Sequence, residues 1–174
     1  ETNDWHLSIG VNGTFQDTKF TKLNATDDEN YYIQTSSISG KTGNYIGRHQ
    51  VGYAPYSYWT FKQLYDAEGN AIQNAFVDLN KDGKIDGSDK YCAGDPNPDF
   101  TFGMTNNFSW KGLNLNILIT GSYGNDIFNA SRIETEGMYN GYNQTTEVLR
   151  RWRIPGQITD IPRATASNYN VRNS

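Results

Sequence analysis

Oxygen-bearing side chains recur at close intervals between Asp78 and Asp89. Counted from Asp78, they occupy positions 1, 3, 5, 9 and 12 of a twelve-residue stretch, and Gly83 occupies position 6. This spacing matches the calcium loop, in which the ion takes about 6–8 oxygen ligands and the glycine permits a sharp turn around it. We therefore predict a structural Ca²⁺ site, held by the five side chains and by the backbone carbonyl of position 7: Asp78, Asn80, Asp82, Lys84, Asp86 and Asp89.

The last ligand position departs from the usual loop. Asp89 stands where an EF-hand loop has glutamate, and this shorter side chain reaches the ion with one oxygen unless the backbone moves closer. The flanking stretches 76–77 and 91–98 lack the pattern of paired helices. The loop is thus predicted to be structural rather than a sensor, and the alternative is an Asp-, Asn- and Gly-rich turn that holds no metal.

Residue types used in catalysis are present but isolated. His6 and His49 belong to neither a G-x-S-x-G nor an H-E-x-x-H motif, and the sequence has no Walker A or Rossmann glycine pattern. Cys92 follows the acidic loop, whose charge disfavours a thiolate. Glu134 and Glu136 are close in sequence, but any acidic segment supplies such a pair. The sequence predicts that the chain is not an enzyme.

Composition narrows the class of protein further. The chain has 174 residues, a formal net charge of −4 and a mean hydropathy of −0.74. The acidic balance argues against a nucleic-acid partner, and no apolar run reaches the ~18 residues of a transmembrane helix. Cys92 is the only cysteine, which excludes an internal disulfide. Aromatic residues make up 14% of the chain while Ala and Leu are sparse, which favours strands joined by turns over long helices.

Alternation with a period of two marks the clearest strands. Residues 5–16 place apolar side chains at odd positions and polar side chains at even positions. The same alternation runs through residues 100–110 and 113–121. Because only Lys111 and Gly112 separate these two stretches, the sequence predicts a tight antiparallel hairpin.

The stretches around these strands are less regular. Polar composition predicts a long loop over residues 17–50 with a short strand near 31–34, and the aromatic-rich residues 51–65 are predicted to be extended. Thr145 is the predicted N-cap of a short helix that ends at Arg153, ahead of a Pro-Gly pair.

The polar faces of the alternating strands carry almost no charge. Between Phe100 and Gly121 the only charged residue is Lys111, which lies in the turn. A soluble sandwich would bury the apolar face against a second sheet. A transmembrane β-barrel would turn that face to lipid, with strands of about 9–11 residues, aromatic residues at the strand ends, short turns and long loops. The pattern alone leaves both interpretations open.

Several further stretches of the sequence form a recognisable series. In chain order they are Gly52-Tyr53 ahead of the aromatic-rich stretch, 77–86 (VDLNKDGKID), 94–100 (GDPNPDF), 110–115 (WKGLNL), 121–124 (GSYG), Arg151-Trp152 and 161–163 (IPR). Together they resemble the late barrel region of SusC/RagA-type TonB-dependent outer-membrane transporters of Bacteroidetes. The resemblance extends over roughly residues 51–165, and the first 50 residues fit only as a strand and a loop.

The resemblance implies an all-β fold, namely an antiparallel transmembrane β-barrel segment with long extracellular loops from a plugged barrel of about 22 strands. It also implies an importer of oligosaccharides or peptides in the bacterial outer membrane. Such importers are powered by TonB and work with a SusD-like surface lipoprotein that closes over the extracellular mouth. The acidic loop is similar to the family's DxNxDG segment, which lies on the extracellular side if the Lys111–Gly112 turn is periplasmic.

We expect residues 1–174 to be part of the barrel domain of a longer polypeptide, because no plug, TonB box or closing C-terminal strands are recognisable in them. The alternative, from another class, is a soluble calcium-stabilised β-sandwich that binds glycan at a cell surface. The two differ in whether the apolar face is exposed or packs against a second sheet. The side chains that decide between them are Leu7, Ile9, Leu115 and Ile117.

Overall fold

A computed structural model describes residues 4–25, 28, 30–38, 45–138 and 141–164. In this part of the chain no helix is both long enough and apolar enough to cross a membrane. The elements in chain order are β1 Trp5–Phe15, β2 Tyr32–Ser37, β3 Tyr45–Gln50, β4 Ser57–Phe61, β5 Gln63–Tyr65, β6 Ala71–Phe76, a 3₁₀ helix Gly87–Asp89, β7 Lys90–Gly94, β8 Phe100–Trp110, β9 Leu113–Tyr123, α1 Ser131–Glu136 and a 3₁₀ helix Thr146–Arg150.

The longest strands form a three-stranded antiparallel sheet in the order β1-β8-β9. β1 and β8 pair over their full length, from Trp5 opposite Trp110 to Phe15 opposite Phe100. β8 and β9 likewise pair from end to end. The strands predicted over residues 5–16, 100–110 and 113–121 are therefore confirmed.

The hairpin between β8 and β9 is closed by Lys111 and Gly112. Their φ angles are 46° and 88°, and two positive values in succession are what a two-residue turn between right-twisted strands requires. The Lys111 amide donates a hydrogen bond to the Asp4 carbonyl at 3.1 Å, and its Nζ lies 3.4 Å from an Asp4 carboxylate oxygen. This end of the sheet is therefore short and tightly connected.

The pairing of β1 with β8 makes residues 16–99 one insertion between two neighbouring strands. The insertion holds a four-stranded sheet, β2-β3-β4-β7, and a two-stranded sheet, β5-β6. All pairings between named strands are antiparallel, which confirms the all-β antiparallel class. The sequence patterns predicted neither this insertion nor the two sheets that it contains.

The prediction of one long loop over residues 17–50 is wrong in part. The short strand near 31–34 exists as β2, but residues 45–50 form β3 and pair with it. Residues 51–65 hold two strands, with a turn before them where Tyr56 has a φ of 61°. The local pattern failed here because β3 alternates weakly and depends on its neighbours for its strand geometry.

The segment after β9 packs against the insertion. Ile38 and Ile46 of the insertion form a small buried core with Ile133 of α1, and Tyr58 and Phe128 pack at its edge. A backbone hydrogen bond also joins the insertion to the segment after β9: the Asp126 amide donates to the Asp95 carbonyl at 2.8 Å.

The helix predicted over residues 145–153 is shorter than expected. It is a 3₁₀ helix over Thr146–Arg150, and Thr145 occupies the N-cap position without a side-chain capping bond. No sequence pattern predicted α1, because its six residues are too few to show a helical period.

Candidate functional site

One face of the three-stranded sheet is apolar along nearly its whole length. No other sheet of the described residues packs on it, and most of its side chains are exposed, with Val11 at 74% and Leu115 at 50% of their full accessible surface. Phe100, Met104 and Phe108 of the central strand are half-buried. The residues of this apolar face are Trp5, Leu7, Ile9, Val11, Phe15, Phe100, Phe102, Met104, Phe108, Trp110, Leu113, Leu115, Ile117, Ile119 and Tyr123.

Aromatic side chains stand at both ends of the apolar face. At the end that leads into the insertion, the Phe15 and Phe100 rings stack with their centres 4.4 Å apart. At the turn end, Trp5 faces Trp110, and the Lys111 ammonium lies 5.6 Å from the centre of the Trp110 ring. In the band between, β1 and β9 carry aliphatic side chains. Aromatic ends around an apolar band are typical of a bilayer-spanning sheet.

The opposite face is polar and lacks Asp, Glu, Lys and Arg. It carries Ser, Thr, Asn, Gly and His6, and its one large apolar residue is Leu118, which is 70% exposed. The apolar face has one polar interruption, Asn106, between Ile9 and Ile117. A contiguous apolar surface of this extent requires a covering partner or lipid, since water-exposed monomers rarely carry one.

The sandwich alternative requires a second sheet over this face. Leu7, Ile9 and Ile117 are 48%, 53% and 44% exposed, so none of the described strands supplies such a cover. The observed sheet therefore favours the barrel segment over the sandwich. β1 and β9 are edge strands within these residues, and the structure does not show a closed barrel.

The acidic loop, residues 78–89, turns its side chains onto its own backbone. Asp78 accepts hydrogen bonds from the amides of Lys81 at 2.6 Å and Gly83 at 2.9 Å. Asn80 accepts from the Asp82 amide at 3.1 Å, and Asp82 accepts from the amide two residues further on at 2.8 Å. Gly83 has a φ of 82°, which explains why glycine is needed at position 6.

Asp89 is the anchor of this loop. Its side chain is fully buried and accepts hydrogen bonds from the amides of Leu79 at 2.8 Å, Asn80 at 3.4 Å and Asp86 at 2.9 Å. The Asp86 amide, followed by those of Leu79 and Asn80, lowers the pKa of the Asp89 carboxyl against the opposing effect of burial. Sequence reasoning placed Asp89 in the site as a ligand and missed this bracing role.

The donor chemistry of the acidic loop fits calcium. All of the predicted side-chain donors are hard oxygens, and Asn80, Asp82, Lys84 and Asp86 are exposed. In the observed side-chain arrangement, the described residues contain no group of three or more His, Cys, Asp or Glu placed to hold a metal ion. The residue types and their spacing therefore suit Ca²⁺. In the observed arrangement, the carboxylates accept hydrogen bonds from the amides of the loop.

The other candidate residues have structural surroundings. His49 lies between two aromatic rings, 4.8 Å from the centre of Phe20 and 4.6 Å from that of Tyr56. The Cys92 sulfur lies 3.7 Å from the Gly94 carbonyl. Glu136 is buried and pairs with Arg132 at 2.9 Å. None of these contacts pairs a nucleophilic side chain with a general base.

One cluster in the insertion was not predicted. Arg48 is only 9% exposed and lies against the rings of Tyr32 and Trp59, which come from the strands on either side. No local motif marks Arg48, because its neighbours come from two other strands. Knowledge of the strand pairing would have revealed it, because the residues opposite the buried Arg48 are Gln34 and Ser57, and neither is acidic.

Comparison with known proteins identifies the class. No family model matches the chain. The TonB-dependent receptor SusC of Bacteroides thetaiotaomicron is 31% identical over 164 residues, which cover 90% of the chain. The TonB-dependent receptors P3 and P26 of Formosa agariphila are 31% and 32% identical over 73% and 61% of the chain.

These relatives place the chain among TonB-dependent receptors. With this agreement in sequence and its antiparallel all-β fold, the chain belongs to the SusC type of that family. It spans 16% of the length of SusC and 12% and 11% of the lengths of P3 and P26. All three relatives are receptors, so the prediction that the chain is not an enzyme is confirmed.

Proposed function

We propose that this chain forms part of the wall of an outer-membrane importer, with β1, β8 and β9 crossing the bilayer. The observation that carries the proposal is the exposed apolar face, which runs between aromatic ends across three paired strands of eleven residues each. Strands of about 9–11 residues are long enough to cross the hydrocarbon core at a tilt. The polar, uncharged face then lines the lumen.

The two ends of this sheet differ in a way that supports an orientation. The Lys111–Gly112 turn has two residues, whereas the opposite end opens into the insertion, residues 16–99. Outer-membrane barrels have short periplasmic turns and long extracellular loops. The insertion and the acidic loop are therefore assigned to the cell surface.

Cysteine labelling on intact cells tests this orientation. Glu68→Cys lies in the exposed turn of the insertion and Lys111→Cys in the short turn, and both are made in a Cys92→Ser background. A membrane-impermeant maleimide is expected to label the first on whole cells and the second only after the outer membrane is opened. Labelling of Lys111→Cys on whole cells, with Glu68→Cys protected, would contradict the orientation.

The activity proposed for the complete receptor is TonB-dependent import of an oligosaccharide or peptide, together with a SusD-like surface lipoprotein. In support of a surface partner or cargo, the insertion exposes aromatic and aliphatic side chains such as Tyr56 and Tyr65, each 51% exposed. Affinity purification of the tagged receptor should recover the lipoprotein, and removal of TonB should stop uptake. Uptake that continues without TonB would refute the import mechanism.

We further propose that the acidic loop binds one structural calcium ion on the cell surface. The ligands are the side chains of Asp78, Asn80, Asp82, Asp86 and Asp89 and the Lys84 carbonyl. The exposed side chains can turn from loop amides toward an ion, while Asp89 braces the loop from its buried side. The ion would neutralise the crowded carboxylates and fix the conformation of the loop within the insertion.

Removal of one charged ligand tests the calcium site. Asp82→Ala is expected to weaken calcium binding at least tenfold, since the loop loses one of its carboxylate ligands. Calorimetric titration of the chelator-treated full-length receptor measures the effect. Asp17→Ala removes an exposed carboxylate elsewhere and should bind as the wild type does. A wild-type receptor that takes up no calcium would refute the site.

A further inference from the structure

Arg48 lies in the interior of the four-stranded sheet of the insertion. It is opposite Gln34 on β2 and Ser57 on β4, and its guanidinium carbon lies 3.8 Å from the centre of the Tyr32 ring and 4.3 Å from that of the Trp59 ring. Cation–π contacts of this kind stabilise the charge from the ring faces. They engage the ring faces only, and no side chain in the described part of the chain accepts a hydrogen bond from the N–H donors of the guanidinium.

The described residues supply those donors with no acidic partner. Within the described residues no carboxylate pairs with Arg48, and its side chain donates no hydrogen bond. Buried charged groups are almost always paired with an opposite charge or hydrogen-bonded. Burial lowers the pKa of the Arg48 guanidinium from its ordinary value, but an arginine stays protonated in proteins. Among the described residues, no carboxylate therefore balances the positive charge of Arg48.

A second cation lies on the same face of the sheet. Lys90 of β7 is opposite Phe61, its ammonium lies 5.4 Å from the centre of that ring, and it is half-buried. Burial and, next, the charge of Arg48 lower the pKa of the Lys90 ammonium, so the two cations act on one another. The enclosed indole N–H of Trp59 also has no acceptor in the described part of the chain.

We propose that Arg48 and Lys90 bind the carboxylate or sulfate group of an acidic saccharide. A guanidinium presents parallel N–H donors that match a planar carboxylate or two sulfate oxygens, and the ammonium adds a point charge. Tyr32 and Tyr53 are 41% and 38% exposed next to this cluster and offer ring faces for a sugar ring. An anionic ligand supplies the negative charge that the described strands of this sheet do not offer to Arg48. This inference rests on the proposed import function for the source of its ligand.

Binding is measured by calorimetry on the full-length receptor in detergent, at constant ionic strength. The probes are trigalacturonate, a sulfated galactotriose, neutral galactotriose and inorganic sulfate. Wild type is expected to bind one or both acidic trisaccharides at least tenfold more tightly than the neutral trisaccharide or the sulfate ion. The carboxylate and sulfate probes show which acid group the site takes.

Three variants and one control locate the site. Arg48→Gln and Lys90→Gln should each weaken binding of the acidic trisaccharide at least tenfold. Arg48→Lys keeps the charge but loses the paired donors, and should fall between wild type and Arg48→Gln. Arg153→Gln removes an exposed arginine from another segment and should bind as wild type does. Because Lys90 lies nearer the surface, its variant tests the site even if Arg48→Gln fails to fold.

The inference is overturned if wild type binds acidic and neutral trisaccharides equally, if sulfate ion alone binds as tightly as the trisaccharides, or if Arg48→Gln and Lys90→Gln bind normally. Uptake is measured separately with cells. Tight binding without TonB-dependent uptake would refute the import function and leave the site, whereas uptake of neutral saccharide without acidic binding would refute only the site.

Discussion

Ile119→Arg is expected to remove most of the assembled receptor from the outer membrane. Ile119 lies near the middle of β9, opposite Met104 and on the apolar face, where its side chain is 47% exposed. If that face meets lipid, an arginine at this depth costs about 2–4 kcal/mol of folding free energy. The fraction of heat-modifiable, folded barrel in isolated outer membranes measures the loss.

The matched control is the neighbouring residue in the same strand. Thr120→Arg places the same charge on the polar face, which the account assigns to the lumen, and it should leave the amount of folded receptor close to that of the wild type. If Ile119→Arg and Thr120→Arg are both tolerated, or are equally harmful, the two faces of β9 have the same surroundings and the proposal is contradicted.

Gly94→Ala is expected to loosen the insertion from the segment that follows β9. Gly94 has a φ of 149°, which side chains rarely adopt, and a Cβ at this position would lie 2.7 Å from the Cγ of Asp126. The backbone strain and the crowding together cost about 3 kcal/mol. We expect hydrogen exchange of the β7 amides to become about 100-fold faster, because exchange follows the free energy of local opening.

Two further variants separate the causes of this effect. Gly10→Ala lies on β1, where a Cβ has no other atom within 4 Å, and should leave exchange unchanged. Combining Gly94→Ala with Asp126→Ala removes the crowding carboxylate but not the strained φ, and should restore only part of the protection. Unaltered β7 exchange in Gly94→Ala would contradict the packing of the insertion on residues 124–164.

The three long strands were predictable because their signal is local. β1, β8 and β9 each alternate with a period of two, and the two-residue turn at Lys111–Gly112 fixes how β8 and β9 pair. The acidic loop was likewise visible, because its oxygen-bearing side chains and its glycine have a fixed spacing. These features need no knowledge of distant neighbours.

The pairing of β1 with β8 was not predictable from the same signals. The whole insertion, residues 16–99, lies between the two strands, and no local pattern records which strands meet across it. The bracing role of Asp89 depends on the amides of Leu79 and Asn80, ten and nine residues earlier in the chain. Arg48 depends on rings from two other strands, so its significance appears only once the sheet has formed.

We propose that the apolar face of β1, β8 and β9 meets lipid. Spin labels placed one at a time at residues 113–123 of the full-length Cys92→Ser receptor in lipid vesicles test this contact most directly. Collisions with oxygen should peak at odd positions such as Leu115 and Ile117, and collisions with a water-soluble nickel chelate at even positions such as Asn116. Odd positions shielded from both reagents, as in a sandwich, would contradict the claim.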